Sequence, residues 1–214
     1  SRRQRQMCIR DSIITISREF GSGGREVGKR LADALGYGYY DREILTAMAQ
    51  STEMEESYLE QILERGAATP QYPLIFGRTL SQVSYVSNLS TTLLAKQTEL
   101  IKKISQKGNC VIVGRNANVI LADQNPLRIF VYAQLESRIQ RCRERETENM
   151  NRSDKEYEKQ IREVDKLRAK NHDFLCSYRW GDMRGYDLCL NTSYLEIKKI
   201  IPAVAQYATQ WFGK

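Results

Sequence analysis

The 214-residue sequence lacks long apolar runs, contains a single histidine, and places none of its five cysteines in a CxxC pair. No apolar run approaches the ~18 residues that a membrane-spanning helix needs, so we expect no membrane partner. The lone His172 excludes a metal site built on several histidines and disfavours a histidine-dependent catalytic triad. Cys110 and Cys189 lie in apolar strand-like runs, and we expect buried, reduced thiols in a cytoplasmic protein.

The first residues show no periodic pattern of apolar positions. Residues 1–11 hold four arginines and lack the apolar stretch of a secretory signal, so we interpret them as a disordered or foreign leader. Much of the formal net charge of +7 lies in this leader. The modest basic surplus of residues 12–214, which we expect to form a single domain, suits a small anionic ligand. It is too small to indicate nucleic acid by itself.

Apolar runs of strand length alternate with helical patterns along the chain. The runs are continuous rather than alternating, which is typical of strands covered on both faces. They lie at residues 13–17, 37–40, 110–113, 127–132 and 186–190. The helical patterns lie at residues 24–35, 92–106 and 135–145, and capping-box spacing predicts further helix starts at 154 and 194. This alternation predicts an α/β fold, with a parallel sheet of about five strands between two helical layers.

Two segments depart from this alternation. Residues 45–95 contain polar stretches and two prolines, and we interpret them as a helical insertion. Pro202 is expected to kink or divide the last helix.

The stretch GSGGREVGK at residues 21–29 can be interpreted in two registers. If Lys29 were a phosphate-binding lysine, the helix from Gly28 to Gly36 would be barely two turns long. A helix that starts at Gly24 has three turns with one apolar stripe and leaves a loop of ordinary length before it. We therefore favour the second register, which places Lys29 in mid-helix.

In this register the loop is a candidate phosphate site. Its glycines allow backbone N–H groups to turn inward at a helix N-terminus, where the helix dipole also favours anions. Gly24 occupies the position that usually holds lysine, and Arg25 occupies that of the metal-binding hydroxyl. An arginine there can bind phosphate with two nitrogens but cannot bind a cation. A purely structural glycine-rich turn is the alternative. The candidate phosphate-binding residues are Gly21, Ser22, Gly23, Gly24, Arg25 and Glu26.

Three arginines at helical spacing form a second candidate feature. Arg138, Arg141 and Arg145 share one helix face beside a polar segment, an arrangement that suits a lid delivering guanidinium groups to phosphates. The alternative is a solvated basic face paired with neighbouring glutamates.

Polar residues at predicted strand ends form a third feature. Arg115 follows a buried strand at the carboxyl edge of the sheet, where open α/β folds bind ligands. Asn116 reads a base edge or caps the next helix. Asp41 holds Mg²⁺ through water or caps the helix that begins at Arg42.

Several segments together resemble the cytidylate kinase-like proteins, relatives of cytidylate kinase among the P-loop nucleoside monophosphate kinases. The resemblance spans about residues 12–210. In chain order the segments are ISREFGSGGREVGKRLADALGYGYYDREIL, KGNCVIVGRNANVILAD, LRIFVYAQLESRIQRCRER, and VDKLRAK with YDLCLNTS. The resemblance implies a three-layer α/β/α P-loop fold, the use of ATP and Mg²⁺, and γ-phosphoryl transfer to a nucleoside monophosphate.

The resemblance also implies roles for matching residues. Residues 21–26 match the ATP phosphate loop, and Asp41 matches the start of the acceptor pocket, on the side of the 45–95 insertion. Arg138 and Arg141 match arginines at the start of a lid, which we place at residues 138–165. Arg115 matches an arginine that holds the acceptor phosphate. Asp165 and Arg168 match a pair that closes over ribose and phosphate. For these two residues, a simple helical ion pair is the alternative.

We therefore expect a nucleotide kinase, with CMP or dCMP as the favoured acceptor. Arg25, Arg138, Arg141 and Arg168 are the expected catalytic residues. The loop lacks the usual lysine and hydroxyl, as looks typical of this branch, and Asn116 replaces the aspartate that helps to read cytosine. A small-metabolite kinase on the same fold and a nucleotide-binding regulator with little turnover are the alternatives.

Overall fold

The computed structural model describes residues 12–65, 79–146 and 152–213. The predicted leader, residues 1–11, lies outside this part of the chain. The strands are β1 (Ile13–Arg18), β2 (Gly38–Tyr40), β3 (Cys110–Val113), β4 (Leu127–Tyr132) and β5 (Leu188–Asn191). The helices are α1 (Gly24–Leu35), α2 (Arg42–Thr52), α3 (Glu56–Arg65), α4 (Thr79–Ser105), α5 (Ala117–Ile120), α6 (Leu135–Arg145), α7 (Asp154–Leu175) and α8 (Ile197–Phe212).

The five strands form one parallel sheet in the order β2-β3-β1-β4-β5. In the central strand, Ile14 pairs in register with Val111 on one side and with Leu127 on the other. Because successive side chains of a strand point to opposite faces, Ile14 contributes to one core and Ile13 to the other. The predicted parallel sheet of about five strands is confirmed.

Helices cover both faces of the sheet. The core on the first face contains apolar residues of α1 and α8, including Leu31 and Ile201. The core on the second face contains residues of α2, α3 and α4, including Ile44, Leu59 and Ile101. The predicted three-layer α/β/α architecture is therefore confirmed.

Helix α1 is the element that positions the glycine-rich loop. It begins at Gly24 and ends before Gly36, whose φ of 69° turns the chain so that the Tyr37 N–H donates to the Ala32 carbonyl at 2.9 Å. A Cβ on Gly28 would lie 2.6 Å from Val113 Cγ2, so glycine lets the helix pack closely on β3. The register that starts the helix at Gly24 is confirmed, and Lys29 lies exposed in mid-helix, paired with Asp33.

Some predicted boundaries were wrong. Helix α8 starts at Ile197 instead of 194, because Tyr194 adopts a positive φ of 56° and Ser193 Oγ accepts the N–H of Gln134 instead of capping. Pro202 lies inside α8, which is not divided there. Cys189 is exposed rather than buried, because β5 is the edge strand of the sheet.

The predicted insertion and lid fall partly within the described residues. Residues 45–95 comprise most of α2, all of α3 and the first part of α4, with residues 66–78 outside the description. Residues 138–165 run from α6 into α7, and residues 147–151 between them are not described. The acceptor-side and lid roles of these two segments stay predictions. No helix in the described ranges is long and apolar enough to cross a membrane.

Replacing Leu31 by alanine tests the packing of α1 on the sheet. Leu31 is fully buried, so Leu31→Ala should lower the free energy of unfolding by about 3 kcal/mol. Leu175→Ala is the matched control, since this leucine is 39% exposed at the end of α7, and its effect should stay below about 1 kcal/mol. Urea unfolding measures both, and equal effects would contradict the placement of α1.

Candidate active site

The glycine-rich loop lies at the carboxyl edge of the sheet, between the last residue of β1 and the first residue of α1. Gly21 and Gly23 have φ values of 77° and 81°, a conformation that residues with a side chain rarely adopt. Ser22 is fully buried, and its hydroxyl donates to the Glu19 carbonyl at 2.8 Å. The Ser22 side chain is thus committed to the loop's own structure.

Glu19 anchors the loop to the neighbouring strand. Its carboxylate accepts the N–H of Ala133 at 3.1 Å and lies 3.3 Å from Arg138 Nη1. Its backbone N–H donates to the Val131 carbonyl at 3.0 Å. Burial raises the pKa of Glu19, and the positive charge of Arg138 opposes that shift.

Arg138 of α6 and Asp165 of α7 both bind the backbone of the glycine-rich loop. Arg138 Nε donates to the Phe20 carbonyl at 2.6 Å, and the Phe20 N–H donates to Asp165 Oδ1 at 2.7 Å. The two side chains also form an ion pair with each other. Arg138 is only 7% exposed, so in this conformation its guanidinium holds α6, α7 and the loop together and does not face open space.

Arg141 is also directed at backbone carbonyls. Its guanidinium donates to the carbonyls of Ser22, at 3.4 Å, and of Thr192. The Thr192 hydroxyl donates to the same Ser22 carbonyl at 2.7 Å, which links the end of β5 to the loop. Burial lowers the pKa of Arg141, and the charge of Arg145 lowers it further.

A second group of arginines surrounds one carboxylate. Arg25 Nε lies 2.7 Å from Asp41 Oδ2, and Arg18 Nη2 lies 3.9 Å from Asp41 Oδ1. Asp41 is 4% exposed and sits at the N-cap position of α2 without making a side-chain cap bond. Its Oδ1 accepts no hydrogen bond among the described residues. Asp41 therefore acts as a buried counter-ion.

The end of β3 carries the next predicted residues. Gly114, Arg115 and Asn116 have positive φ values of 76°, 58° and 54°, a conformation costly for the two residues with side chains and often found at functional sites. The positive charge of Arg115 contributes to lowering the pKa of Arg18. Asn116 does not cap α5, and its amide donates to the Asn171 carbonyl at 3.3 Å.

Arg168 reaches the same place from α7. Its Nη1 donates to the Arg18 carbonyl at 3.1 Å, and its guanidinium lies 5.6 Å from the centre of the Phe20 ring. Asp165 lies one helical turn earlier in α7, and its Oδ1 is 3.9 Å from Arg168 Nη1. Asp165 and Arg168 thus form the helical ion pair given above as the alternative, while Asp165 also binds the Phe20 N–H and Arg168 the Arg18 carbonyl.

Two clefts flank the loop. The first, of about 190 Å³, is bordered by the glycines and by four arginines: Arg18, Arg25, Arg145 and Arg168. The second, of about 630 Å³, lies on the other side and is lined by Glu26, Arg141, Arg145, Tyr194, Leu195 and Lys198. Arg145 borders both clefts, so they lie next to each other.

The first cleft is built to attract an anion. Burial lowers the pKa of Arg18 well below its ordinary value, and the charges of Arg168, Arg25 and Arg115 lower it further, whereas Asp41 raises it. A buried positive charge is unfavourable unless negative charge compensates it. In the described residues, no cluster of three or more histidine, cysteine or carboxylate side chains could hold a metal ion.

Arg18, Glu19 and Thr192 are site residues that the sequence did not identify. The role of Arg18 could have been predicted, because this residue ends a buried strand at the carboxyl edge of the sheet. Arg115, which was predicted, lies just after the end of such a strand. Glu19 and Thr192 carried no such signal, because their partners are backbone groups distant in sequence.

A glycine-rich loop that joins the first strand of a parallel sheet to its first helix, and that faces clustered cations, defines a P-loop protein of the kinase type. The chain belongs to the cytidylate kinase-like family, whose model matches residues 13–194.

Individual proteins agree with this assignment. The chain is 26% identical over 154 residues to the cytidylate kinase of Streptococcus pneumoniae (strain 70585), covering 60% of this chain and 68% of that protein. An uncharacterized protein from Eubacterium ventriosum ATCC 27560 superposes with a TM-score of 0.66 at 26% identity, over 92% of this chain and 98% of the other. Shikimate kinase from Bacteroides thetaiotaomicron superposes with a TM-score of 0.57 at 14% identity, over 95% and 99%, which shows a shared fold.

Replacing Arg138 by methionine tests its role beneath the loop. Arg138→Met leaves Glu19 and Asp165 without their buried cation, and the free energy of unfolding should fall by about 3–5 kcal/mol. Arg143→Met on the same helix removes an arginine side chain that is 55% exposed and should cost about 1 kcal/mol or less. Chemical denaturation compares the two, and similar losses would show that Arg138 does not hold the loop.

Proposed function

We propose that this chain is an ATP-dependent nucleotide kinase that phosphorylates a nucleoside monophosphate, with CMP or dCMP as the preferred acceptor. The observation that carries this proposal is the first cleft, where four arginines face the glycine-rich start of α1. Membership of the cytidylate kinase-like family supports the reaction class.

The charge of the cleft favours phosphate over a neutral ligand. Arg25, Arg115 and Arg168 all act electrostatically on Arg18, and Asp41 is the acidic group among the residues that do so. Phosphoryl groups supply the missing negative charge, and guanidinium forks match their oxygens with paired hydrogen bonds. The N-terminus of α1 adds backbone donors and a favourable dipole.

The two clefts suggest where each part of the donor lies. We place the ATP phosphates on residues 21–26, with the terminal group in the first cleft. The second cleft is larger, and exposed Tyr194 offers an aromatic surface for the base. Arg145, which borders both clefts, lies where it can contact the phosphate chain between them. The acceptor phosphate then approaches from the side of Asp41 and Arg115.

Transfer in this arrangement needs charge neutralisation rather than a proton shuttle. An oxygen of the acceptor monophosphate attacks the γ-phosphorus, the bond to the β,γ-bridging oxygen breaks, and ADP leaves with that electron pair. Arg25 and Arg168 line the cleft and neutralise charge on the transferred group. We assign the predicted lid role of Arg138 and Arg141 to Arg145, because the first two hold backbone carbonyls of the loop.

Mg²⁺ fits this site only with a water molecule between the ion and the protein. Direct binding to Asp41 is disfavoured, because Arg25 pairs with one carboxylate oxygen and Arg18 lies near the other. Oδ1 still has acceptor capacity, so it can accept a hydrogen bond from a water of a Mg²⁺ ion carried by ATP. When bound, that ion would neutralise charge on the phosphate oxygens.

A small-metabolite kinase is the second candidate, and one observation favours it. Asn116, which stands where a base-reading aspartate is expected, donates its amide to the Asn171 carbonyl and so is committed within the protein. Recognition of cytosine would then have to come from other residues of the acceptor side. The acceptor screen below separates the two candidates.

Arg25→Ala and Lys29→Ala form a matched pair on α1. Arg25 lines the first cleft, whereas Lys29 pairs with Asp33 on the outer surface. Loss of a charged hydrogen bond should raise the Kd for ATP about 10-fold or more in Arg25→Ala and less than about 2-fold in Lys29→Ala. Isothermal titration calorimetry with ATP and Mg²⁺ measures both. The reverse order would contradict the assigned loop.

An acceptor screen tests the reaction itself. Phosphorylation of CMP, dCMP, UMP and AMP, followed by coupled ADP release, should show CMP or dCMP with the highest kcat/KM. Shikimate and other small hydroxylated acids serve as comparison acceptors. Turnover with a metabolite and none with nucleotides would support the second candidate, and ATP binding with no turnover on any acceptor would support a regulator.

A further inference from the structure

The phosphate loop departs from the usual phosphate-binding motif at three of its four defined positions. The motif G-x-x-x-x-G-K-[ST] falls on residues 18–25, with Gly24 at the lysine position. At the first position, where the motif has glycine, stands Arg18. The lysine is therefore missing, and arginines stand at the first glycine position, Arg18, and at the hydroxyl position, Arg25.

Two of these departures, at positions 18 and 24, meet in space. A Cβ on Gly24 would overlap Arg18 Cβ and would lie 2.8 Å from Arg18 Cγ. The stem of Arg18 thus crosses the space that any side chain at position 24 would occupy. An arginine at 18 and a lysine at 24 exclude each other sterically in this backbone.

A second glycine makes room for the head of the same side chain. A Cβ on Gly114 would overlap Arg18 Nη1 and would lie 2.7 Å from Cζ, so the guanidinium packs directly against the end of β3. From there it lies 3.9 Å from Asp41, on the side of the cleft where Arg115 also acts on it. Arg18 therefore reaches from the start of the loop toward the acceptor side.

The position is unfavourable for a cation without an anionic ligand. The Arg18 side chain is 12% exposed, and its ion-pair partner Asp41 also pairs with Arg25 at a much shorter distance. Nearby positive charge from Arg25, Arg115 and Arg168 adds repulsion. A phosphoryl group in the cleft would relieve that repulsion.

We propose that Arg18 is the catalytic cation that replaces the absent lysine and holds the phosphoryl group during its transfer. This inference rests on the proposed function and adds the residue that bridges donor and acceptor. The guanidinium would contact oxygens of the γ-phosphoryl group from the acceptor side, opposite the backbone N–H groups of the loop. As an interaction with the transferred group, it should affect kcat more than the KM for the acceptor.

The first experiment compares Arg18→Gln with the control variant Arg162→Gln. Glutamine keeps a stem over Gly24, and Arg162 is a 69% exposed arginine side chain on α7. We expect kcat to fall about 100-fold or more in Arg18→Gln and to stay within 2-fold in the control, by the scale of ~10²–10³ for a lost transition-state donor. Binding of inorganic tripolyphosphate, which needs no base and no acceptor, should also weaken about 10-fold in Arg18→Gln.

A positional exchange separates catalysis from folding. Arg18→Gly and Gly24→Lys should each be nearly inactive, the first for lack of the cation and the second because the new side chain collides with Arg18. The double variant restores the first glycine and the lysine of the motif and should regain at least about 10-fold over either single variant. Added guanidinium at millimolar concentration should partly restore Arg18→Gly. A merely structural arginine would show neither recovery.

The possible outcomes test the role of Arg18 and the proposed kinase function separately. If the wild-type chain transfers phosphate while folded Arg18→Gln keeps its kcat within about threefold, or the double variant stays at the level of the singles, the inference is overturned and the function stands. If tripolyphosphate binding depends on Arg18 but no acceptor is phosphorylated, the proposed function and the catalytic role of Arg18 both fail, and only its role in phosphate binding stands. Absence of any triphosphate binding by the wild type overturns both.

Discussion

The pairing of one buried carboxylate with more than one guanidinium is the constraint on which the rest of the site depends. Asp41 holds Arg25 at 2.7 Å and lies 3.9 Å from Arg18, and it is itself almost fully buried. One negative charge cannot neutralise the arginines gathered around it, so the region keeps a positive excess at low solvent exposure. A phosphorylated ligand is the simplest partner for such a region.

The arginines of this chain divide into two groups by what their guanidiniums contact. Arg138 and Arg141 donate to backbone carbonyls of the glycine-rich loop, so they stabilise its shape. Arg18 and Arg168 border the cleft itself. The first group makes the second effective, because a loop held by α6, α7 and β5 keeps its amide groups oriented before a ligand arrives.

Features set by residues close together in the sequence could be predicted, whereas features set by residues far apart in the sequence could not. The span of α1 could be read from its stripe and from the terminating Gly36, which are local features. The start of α8 could not, because Ser193 had the spacing of a capping box but binds Gln134, 59 residues earlier in the chain. The resemblance supplied candidate positions for the site, but it did not show that Arg138 would lie beneath the loop, because α7 supplies the partner that turns it inward.

The sequence by itself determined the layered parallel fold, the register of the glycine-rich loop and the family, because these depend on local periodicity and on motif order. Only the tertiary structure decided which arginines face the ligand. A guanidinium's role depends on the carbonyls, carboxylates and glycines within a few ångströms of it. Arg18 shows this most directly, because the space it occupies is left open by glycines at positions 24 and 114, which the chain brings together only on folding.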